Sequence, residues 1–229
     1  MTAAPMNETL SSAGLIDGIF RASLTSMKTE TFPYKHWILN DVFPPDVPGK
    51  LRALPFEPQK TDGVSGRREL HNATRNYFDA ENNARFPVCR AIADYLQDPK
   101  TIGAIQSSFG IDLDGTYLRI EYAADTDGFW LEPHTDLGVK KFTFLYYISN
   151  DPGHIDLGTD IYVSKEQHYG RAPFHENSAL VFIPADNTWH GFEKRPIPGI
   201  RKSIIVNYVT EDWRAKEQLS FPQSPVKAA

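Results

Sequence analysis

The hydrophobic and polar positions of the chain follow two different patterns, which meet near residue 110. Before that point apolar residues recur with helical spacing, and they predict helices over 8–24, 46–54, 86–97 and 98–110. Residues 32–43 mix aromatic and aliphatic side chains, which is compatible with a strand, whereas 61–83 are polar and aperiodic and indicate a loop. The N-terminal part, 8–110, is therefore predicted to be a support built from helices and loops.

From residue 117 onwards the pattern changes to short runs of β-branched and aromatic residues, separated by turns rich in Asp, Asn, Gly and Pro. These runs predict strands near 117–124, 129–136, 140–149, 159–164, 177–184, 188–194 and 201–210. Many short strands in succession are typical of a β-sandwich or roll. We therefore expect a mainly β protein with supporting helices, a single domain over 1–229. Its core, 117–210, would be a double-stranded β-helix (a cupin-like jelly roll) behind an α-helical N-terminal part.

Composition and charge narrow the class of protein further. The 41% hydrophobic and 23% charged residues are typical of soluble globular domains. The net charge of −5, with no dense run of Lys or Arg, argues against a general nucleic-acid binder. We find neither a signal peptide nor an apolar stretch of the ~20 residues that a membrane helix needs. The one cysteine, Cys89, excludes an intrachain disulfide, so we expect a buried thiol and a cytoplasmic protein without nucleic-acid or membrane partners. The oligomeric state stays open.

One set of side chains carries candidate metal chemistry. His134 and Asp136 are two residues apart in a predicted strand, which points both side chains to the same face. His190 follows after a gap long enough for several strands and a return to the same place. Two imidazoles and one carboxylate form the facial triad of non-haem ferrous sites, which leaves coordination positions open. The alternative for a lone His-x-Asp is a solvated surface pair.

The strand predicted after His190 adds a candidate for binding a carboxylate. Arg201 opens the run 201–210, and Ser203 and Asn207 share its face. A planar guanidinium binds a carboxylate through two hydrogen bonds, and a hydroxyl two residues on can add another. The alternative is an exposed arginine on an edge strand, which the nearby triad disfavours.

These motifs resemble those of the iron- and 2-oxoglutarate-dependent dioxygenases, especially the prolyl-hydroxylase-like branch. The resemblance spans roughly residues 117–210, whereas the N-terminal half resembles no family. The matching positions are His134-x-Asp136, His190 and Arg201-x-Ser203, with the strand 141–149 and the approach 180–191 to the second histidine. The resemblance also implies that Thr143, Leu145 and Tyr147 point inwards beside the co-substrate.

The resemblance implies a role for each matching residue. The triad would bind Fe(II), and Arg201 would pair with the distal carboxylate of 2-oxoglutarate, with Ser203 and Tyr147 as further hydrogen-bond partners. Tyr122 would lie beside the co-substrate, and its alternative is a core tyrosine with a satisfied hydroxyl. Dioxygen would be the second co-substrate, with ascorbate as a supporting reductant.

The implied reaction is hydroxylation of an unactivated C–H bond, with succinate and carbon dioxide as co-products. Asp136 supplies the carboxylate that related halogenases replace by a small residue, so halogenation is not expected. We expect a small polar metabolite as substrate, such as an amino acid or a biosynthetic intermediate. The alternatives are a protein or peptide hydroxylase of prolyl type, a desaturation or ring closure, and, in another class, a non-catalytic metal-binding jelly-roll or cupin protein.

Several further residues are candidates for a peripheral role. The stretch 67–77 contains Arg67, Arg68 and Arg75 and could bind an anionic substrate, although a solvated loop is the favoured interpretation. Five other histidines lack ligand spacing and are expected in loops or at the surface: His36, His71, His154, His168 and His175. The segment 156–160 keeps only part of the turn that the family has there, so the shape of the substrate entrance stays open.

Overall fold

The computed structural model describes residues 11–58, 66, 75–136 and 138–229. Within these residues the helices are α1 (Ala13–Ser26), α2 (Asp46–Arg52), α3 (Ala80–Arg85), α4 (Pro87–Gln97) and α5 (Pro99–Phe109). The strands are β1 (Lys28–Glu30), β2 (His36–Leu39), β3 (Asn76–Tyr77), β4 (Tyr117–Thr126), β5 (Leu131–His134), β6 (Lys140–Tyr147), β7 (Asp160–Ser164), β8 (Gln167–Arg171), β9 (Ser178–Phe182), β10 (His190–Phe192) and β11 (Ile200–Val209). Each of these α-helices precedes residue 110, as predicted, whereas β1, β2 and β3 lie before it as well.

The strands form two antiparallel sheets. The larger sheet has the order β1-β2-β9-β6-β11-β4-β3, and the smaller has the order β5-β10-β7-β8. Strands distant in sequence are neighbours in both sheets, as in a jelly roll. Leu145 and Tyr147 of the larger sheet pack with Ile161 of the smaller sheet in one buried cluster. The predicted fold class, a double-stranded β-helix with helices before it, is confirmed.

The helices cover one face of the larger sheet. Ile92 and Leu96 of α4 and Ile105 of α5 pack in one hydrophobic core with residues of β11, including Ile204 and Tyr208. Because side chains alternate along a strand, residues 201, 203, 205 and 207 of β11 then face the smaller sheet. The helices thus fix which face of the sheet is available for a site.

The local signals at the ends of α4 and α5 agree with the boundaries that the sequence predicts. The side chain of Asp98 accepts hydrogen bonds from the backbone N–H groups of Lys100 and Thr101 and so caps the start of α5. Gly110 ends the helix with a φ of 68°, a left-handed conformation that favours glycine. Pro87 and Pro99 each occupy the first turn of a helix, where the missing N–H costs no hydrogen bond.

Several elements differ from the prediction, among them β1, which lies outside every predicted element. The strand predicted over 129–136 ends at His134, so Asp136 lies just after the strand rather than on it. The polar segment 61–83 contains β3 and the start of α3, because β3 pairs with β4 and Asp79 caps α3. Strand β8 was not predicted either, because its residues are polar and largely exposed. It is a strand because it pairs with β7.

Two other expectations can be compared with the structure. Cys89 is buried, and burial raises the pKa of its thiol to about 12, which fits an unreactive core residue. Among the helices of the described residues, none combines the length and apolar character that a membrane crossing needs.

Candidate metal centre and co-substrate pocket

Three side chains distant in sequence meet at the pairing of β5 with β10. His134 stands opposite His190 in the register of the two strands, and the centroids of their rings are 4.3 Å apart. One ligand atom from each histidine and one from Asp136 all lie within 4.8 Å of one another. The structure therefore brings together the three residues that the sequence singles out.

A glycine permits this close approach of the strands. A Cβ atom added to Gly191, beside His190, would lie 2.8 Å from the backbone oxygen of Leu131 on β5. Because a backbone oxygen cannot move aside cheaply, a larger residue would push the strands apart. The local sequence His190-Gly191 is thus part of the geometry of the site.

Backbone carbonyls orient both imidazoles. Nδ1 of His134 lies 2.8 Å from the carbonyl oxygen of Glu132, and Nδ1 of His190 lies 2.9 Å from that of Thr188. A carbonyl oxygen only accepts hydrogen bonds, so each Nδ1 donates and each Nε2 keeps its lone pair for a metal. Burial, followed by the neighbouring His134, lowers the pKa of His190 to about 4. His190 is therefore neutral, as a ligand must be, at ordinary pH.

The carboxylate of Asp136 is held from both sides. Lys140 donates to Oδ1 over 2.5 Å, and the hydroxyl of Thr143 donates to Oδ2 over 2.6 Å. Burial alone would raise the pKa of Asp136, but the charge of Lys140 and these hydrogen bonds outweigh it and hold the pKa well below its usual range. The carboxylate is therefore ionised and fixed in orientation. The sequence analysis did not single out Lys140, which follows Asp136 by four residues and opens β6.

The donor set fits a divalent transition metal. Two imidazole nitrogens and one carboxylate supply one face of an octahedron and leave the other positions to exogenous ligands. The second group of potential ligands among the described residues, Asp160, His168 and Glu193, is different in kind. Arg171 and Arg195 both donate to Asp160, which makes that group an ion-pair network.

The triad lies in the wall of a cavity of about 380 Å³ between the two sheets. This volume is in the range of pockets that bind small molecules. The inward residues of β6 and β11 line it as predicted: Thr143, Leu145 and Tyr147, and Arg201, Ser203, Ile205 and Asn207. The cavity therefore runs along β11 from Arg201 to Asn207.

Arg201 lies at one end of this cavity, almost fully buried. Its Nη1 donates to the carboxylate of Asp125 over 2.7 Å, and its Nε donates to the carbonyl of Leu157 over 2.6 Å. Asp125 balances the buried charge, which allows the guanidinium to sit there without a ligand. Three of its five N–H groups make no hydrogen bond within the described residues, so they are available to a carboxylate.

Two hydroxyl groups accompany Arg201 at this end. Tyr147 donates to Oγ1 of Thr159 over 2.9 Å, and the backbone N–H of Thr159 donates back to the tyrosine oxygen over 3.3 Å. Ser203 lines the same stretch of wall. Thr159 was not among the predicted residues, although it lies in the partly retained turn 156–160. The group suits one end of a dicarboxylic acid.

Tyr122 lies elsewhere, and its predicted place beside the co-substrate is not what the structure gives. Its ring packs against Phe56, 5.1 Å between centroids, within the core under the helices. On β4 the residues that line the cavity are Arg119 and Glu121, so Tyr122 points to the opposite face. The alternative of a core tyrosine fits its position, except that its hydroxyl has no hydrogen-bond partner among the described residues.

The arginines and histidines that the sequence suggests for a peripheral role lie in different places. Arg75 lines the cavity, whereas Arg67, Arg68 and His71 lie outside the described residues. His175 is exposed, as expected. The surface expectation is wrong for His36 and His154, which are buried and hydrogen-bonded to the carbonyls of Tyr34 and Pro198.

Comparison with known proteins extends the sequence resemblance to the whole fold. No protein-family model and no curated protein matches the sequence. Among solved structures, a prolyl 4-hydroxylase from Phytophthora capsici is similar with a TM-score of 0.60 and 12% identity, over 91% of this chain and 69% of that one. A Pseudomonas putida prolyl-4-hydroxylase is similar with a TM-score of 0.52 and 12% identity, over 91% and 97%.

A third similar structure is a prolyl hydroxylase from Trichoplax adhaerens in complex with a peptide fragment of a hypoxia-inducible factor. Its TM-score is 0.50 at 16% identity, over 89% of this chain and 93% of that one. At such low identities the likeness concerns the fold. The chain therefore has the fold of these prolyl hydroxylases.

Proposed function

We propose that this protein is an Fe(II)- and 2-oxoglutarate-dependent dioxygenase that hydroxylates an unactivated C–H bond. The observation that carries the proposal is that the metal-ligand triad and Arg201 line the same cavity. A purely structural or sensory metal site in a cupin-like protein has no use for a buried carboxylate-binding group beside it. The cavity therefore contains both parts of a keto-acid site, the metal ligands and a group that binds a carboxylate.

The residues of the chain would bind the metal ion and orient its ligands. His134 and His190 would bind iron through Nε2, and Asp136 would bind it through the carboxylate that Lys140 and Thr143 orient. With 2-oxoglutarate and dioxygen, the bound iron supplies an oxidation in which one oxygen atom enters the substrate C–H bond and the other enters succinate, as carbon dioxide leaves. Ascorbate would act as a supporting reductant.

The end of the cavity at Arg201 would hold the distal carboxylate of 2-oxoglutarate. Arg201 offers charge-assisted donors, with the hydroxyls of Tyr147, Thr159 and Ser203 in the same wall. Apolar side chains line much of the remaining wall: Phe129, Leu131, Leu145, Phe192 and Ile205. Such walls exclude water, which strengthens the charged contacts inside.

The decisive test is an anaerobic visible-absorption titration of the iron-loaded protein with 2-oxoglutarate. A weak metal-to-ligand charge-transfer band is expected in the wild type and is expected to vanish in His134→Ala. His175→Ala, a substitution of an exposed histidine outside the triad, is the matched control and keeps the band. Iron binding without any band would remove the keto-acid assignment and favour a structural metal site.

A small polar metabolite is the substrate class that we favour, because the cavity is of small-molecule size. A prolyl-type peptide is the alternative, supported by the likeness to a prolyl hydroxylase that binds a peptide. A cytoplasmic location stays a prediction that rests on the single, buried cysteine.

A further inference from the structure

The cavity has a second basic end, which we define by Arg75, Arg119 and Lys140. Arg119 on β4 pairs in register with Asn207 of β11. Lys140 opens β6 and lies beside Asp136. All three basic side chains line the cavity that also contains Arg201, together with their carboxylate partners, which are Glu121 for both arginines and Asp136 for Lys140.

The two basic ends are too far apart to bind one molecule of 2-oxoglutarate. Asn207, at the level of Arg119, lies six positions after Arg201 on β11, which is roughly 20 Å along an extended strand. The five-carbon chain of 2-oxoglutarate is far shorter than that. When one carboxylate lies at Arg201, the second basic end is left to another ligand.

Arg119 is a buried guanidinium that its neighbours hold in place, with Glu121 as its ion-pair partner. Its side chain is only 2% exposed, and the rings of Tyr77 and Trp213 each lie 4.9 Å from its central carbon. It donates to Gln218 over 3.0 Å, to Asn207 over 3.2 Å and to Glu121 over 3.0 Å. Two of its five N–H groups therefore make no hydrogen bond within the described residues. Buried donors of this kind favour a ligand with two acceptor oxygens.

A chain of hydrogen bonds places this end directly beside the metal centre. Asp136 accepts from Thr143 over 2.6 Å, Thr143 accepts from the amide of Asn207 over 3.0 Å, and Asn207 accepts from Arg119 over 3.2 Å. Only two side chains thus separate Arg119 from a metal ligand. Lys140 contacts the same carboxylate. A ligand at Arg119 and Lys140 would therefore lie beside the triad, at the level of Asn207 on β11.

We infer that the second basic end binds the carboxylate of the substrate, which makes the substrate a small free carboxylic acid. The inference rests on the proposed function and adds the substrate class to it. A prolyl residue inside a peptide carries no carboxylate to place there. The anchored acid would present a C–H bond to the metal.

The test uses protein loaded with Mn(II) and N-oxalylglycine, an unreactive analogue of 2-oxoglutarate that occupies the Arg201 end. The probe is ¹³C-carboxyl acetate, whose relaxation is enhanced when it binds near manganese, and acetamide is the neutral probe of the same shape. We expect saturable enhancement for acetate and none for acetamide. In Lys140→Met and Arg119→Gln the dissociation constant of acetate should rise at least about tenfold, the effect of one charge-assisted hydrogen bond.

Lys141→Met is the matched control, because this exposed lysine is adjacent in sequence and points away from the cavity. If Arg119→Gln does not fold, Lys140→Met decides. Acetate that does not bind, or that binds Lys140→Met and Lys141→Met equally well because manganese alone holds it, overturns the inference. Failure of the protein to bind Mn(II) or N-oxalylglycine overturns the proposed function itself, so the two failures are distinguishable.

Discussion

Thr143 illustrates how single residues beside the metal ligands set the properties of this site. Its hydroxyl donates to Asp136 and accepts from Asn207, so it links the ligand to the rest of the cavity wall. Groups that orient a ligand are worth roughly 10- to 100-fold in metal affinity when they are lost. The position of Thr143 on the inner face of β6 was predictable, but its hydrogen-bond partners were not.

Replacing Thr143 by valine keeps the shape of the side chain and removes both hydrogen bonds. We expect about a tenfold weaker binding of Mn(II), because Asp136 is no longer fixed in orientation. Isothermal titration calorimetry measures the affinity directly. Thr25→Val, at an exposed position on α1, is the control, and equal affinity in both variants would contradict the role of Thr143.

A conservative change at Arg201 separates its binding role from its structural role. Arg201→Lys keeps the charge that balances Asp125 but loses the planar fork that binds a carboxylate. We expect the affinity for 2-oxoglutarate to fall about tenfold while Mn(II) affinity stays the same. Equal losses of both affinities would mean that Arg201 only supports the fold.

The neutral state of His190 makes the stability of the metal-free protein depend on pH. Its pKa is about 4 in the folded state, against 6.5 for an unperturbed histidine, so below pH 6.5 the unfolded chain takes up a proton first. The free energy of unfolding should therefore fall as the pH drops from 6.5 to 4, by about 3 kcal/mol from this group. Urea denaturation across this range measures the effect, and His190→Gln should remove that part of it.

At the scale of elements, the alternation of side chains along β4 decides which residues can serve the site. Arg119 and Glu121 face the cavity, whereas Tyr122 faces the helices. The sequence fixes which positions share a face, but the neighbouring layers decide which face meets the cavity. For this reason the structure has Tyr147 in the cavity wall and Tyr122 in the core under the helices. The resemblance implied a place beside the co-substrate for both Tyr147 and Tyr122.

Two tyrosine substitutions test this assignment of faces. Tyr147→Phe should weaken 2-oxoglutarate binding about fivefold, because it removes a hydroxyl from the Arg201 end of the cavity. Tyr122→Phe should leave that affinity unchanged and should not lower stability, since its buried hydroxyl has no partner in the part of the chain that the structure describes. A stronger loss of affinity in Tyr122→Phe than in Tyr147→Phe would contradict the orientation of β4.

At the scale of the whole molecule, the site lies where the two sheets meet. The triad comes from β5, β10 and the segment just after β5, and Arg201 comes from β11 of the other sheet. Ligands that contact both sheets bind only the folded protein and therefore stabilise it. The helices on the outer face of the larger sheet support this arrangement without lining the cavity.

Ligand addition should accordingly raise the melting temperature in two steps. Mn(II) at a hundred times its dissociation constant should add about 3 kcal/mol to the free energy of unfolding, and N-oxalylglycine should add a further increment only when the metal is present. Differential scanning calorimetry with and without a chelator measures both steps. An equal response to N-oxalylglycine without metal would place its binding away from the triad.

The sequence by itself determined the helical and β halves, the caps of α5, and the side chains that share a face of β6 and β11. These features depend on local spacing and on the conformational preferences of single residues, which a sequence displays directly. It also singled out the triad and Arg201, because their residue types have few other uses together. Only the tertiary structure decided the rest. It made strands of the polar segments β3 and β8. It placed the carboxylate of Asp136 between the side chains of Lys140 and Thr143, and it turned Tyr122 away from the cavity. Each of these depends on a neighbour supplied by a distant part of the chain, and local spacing carries no information about that neighbour.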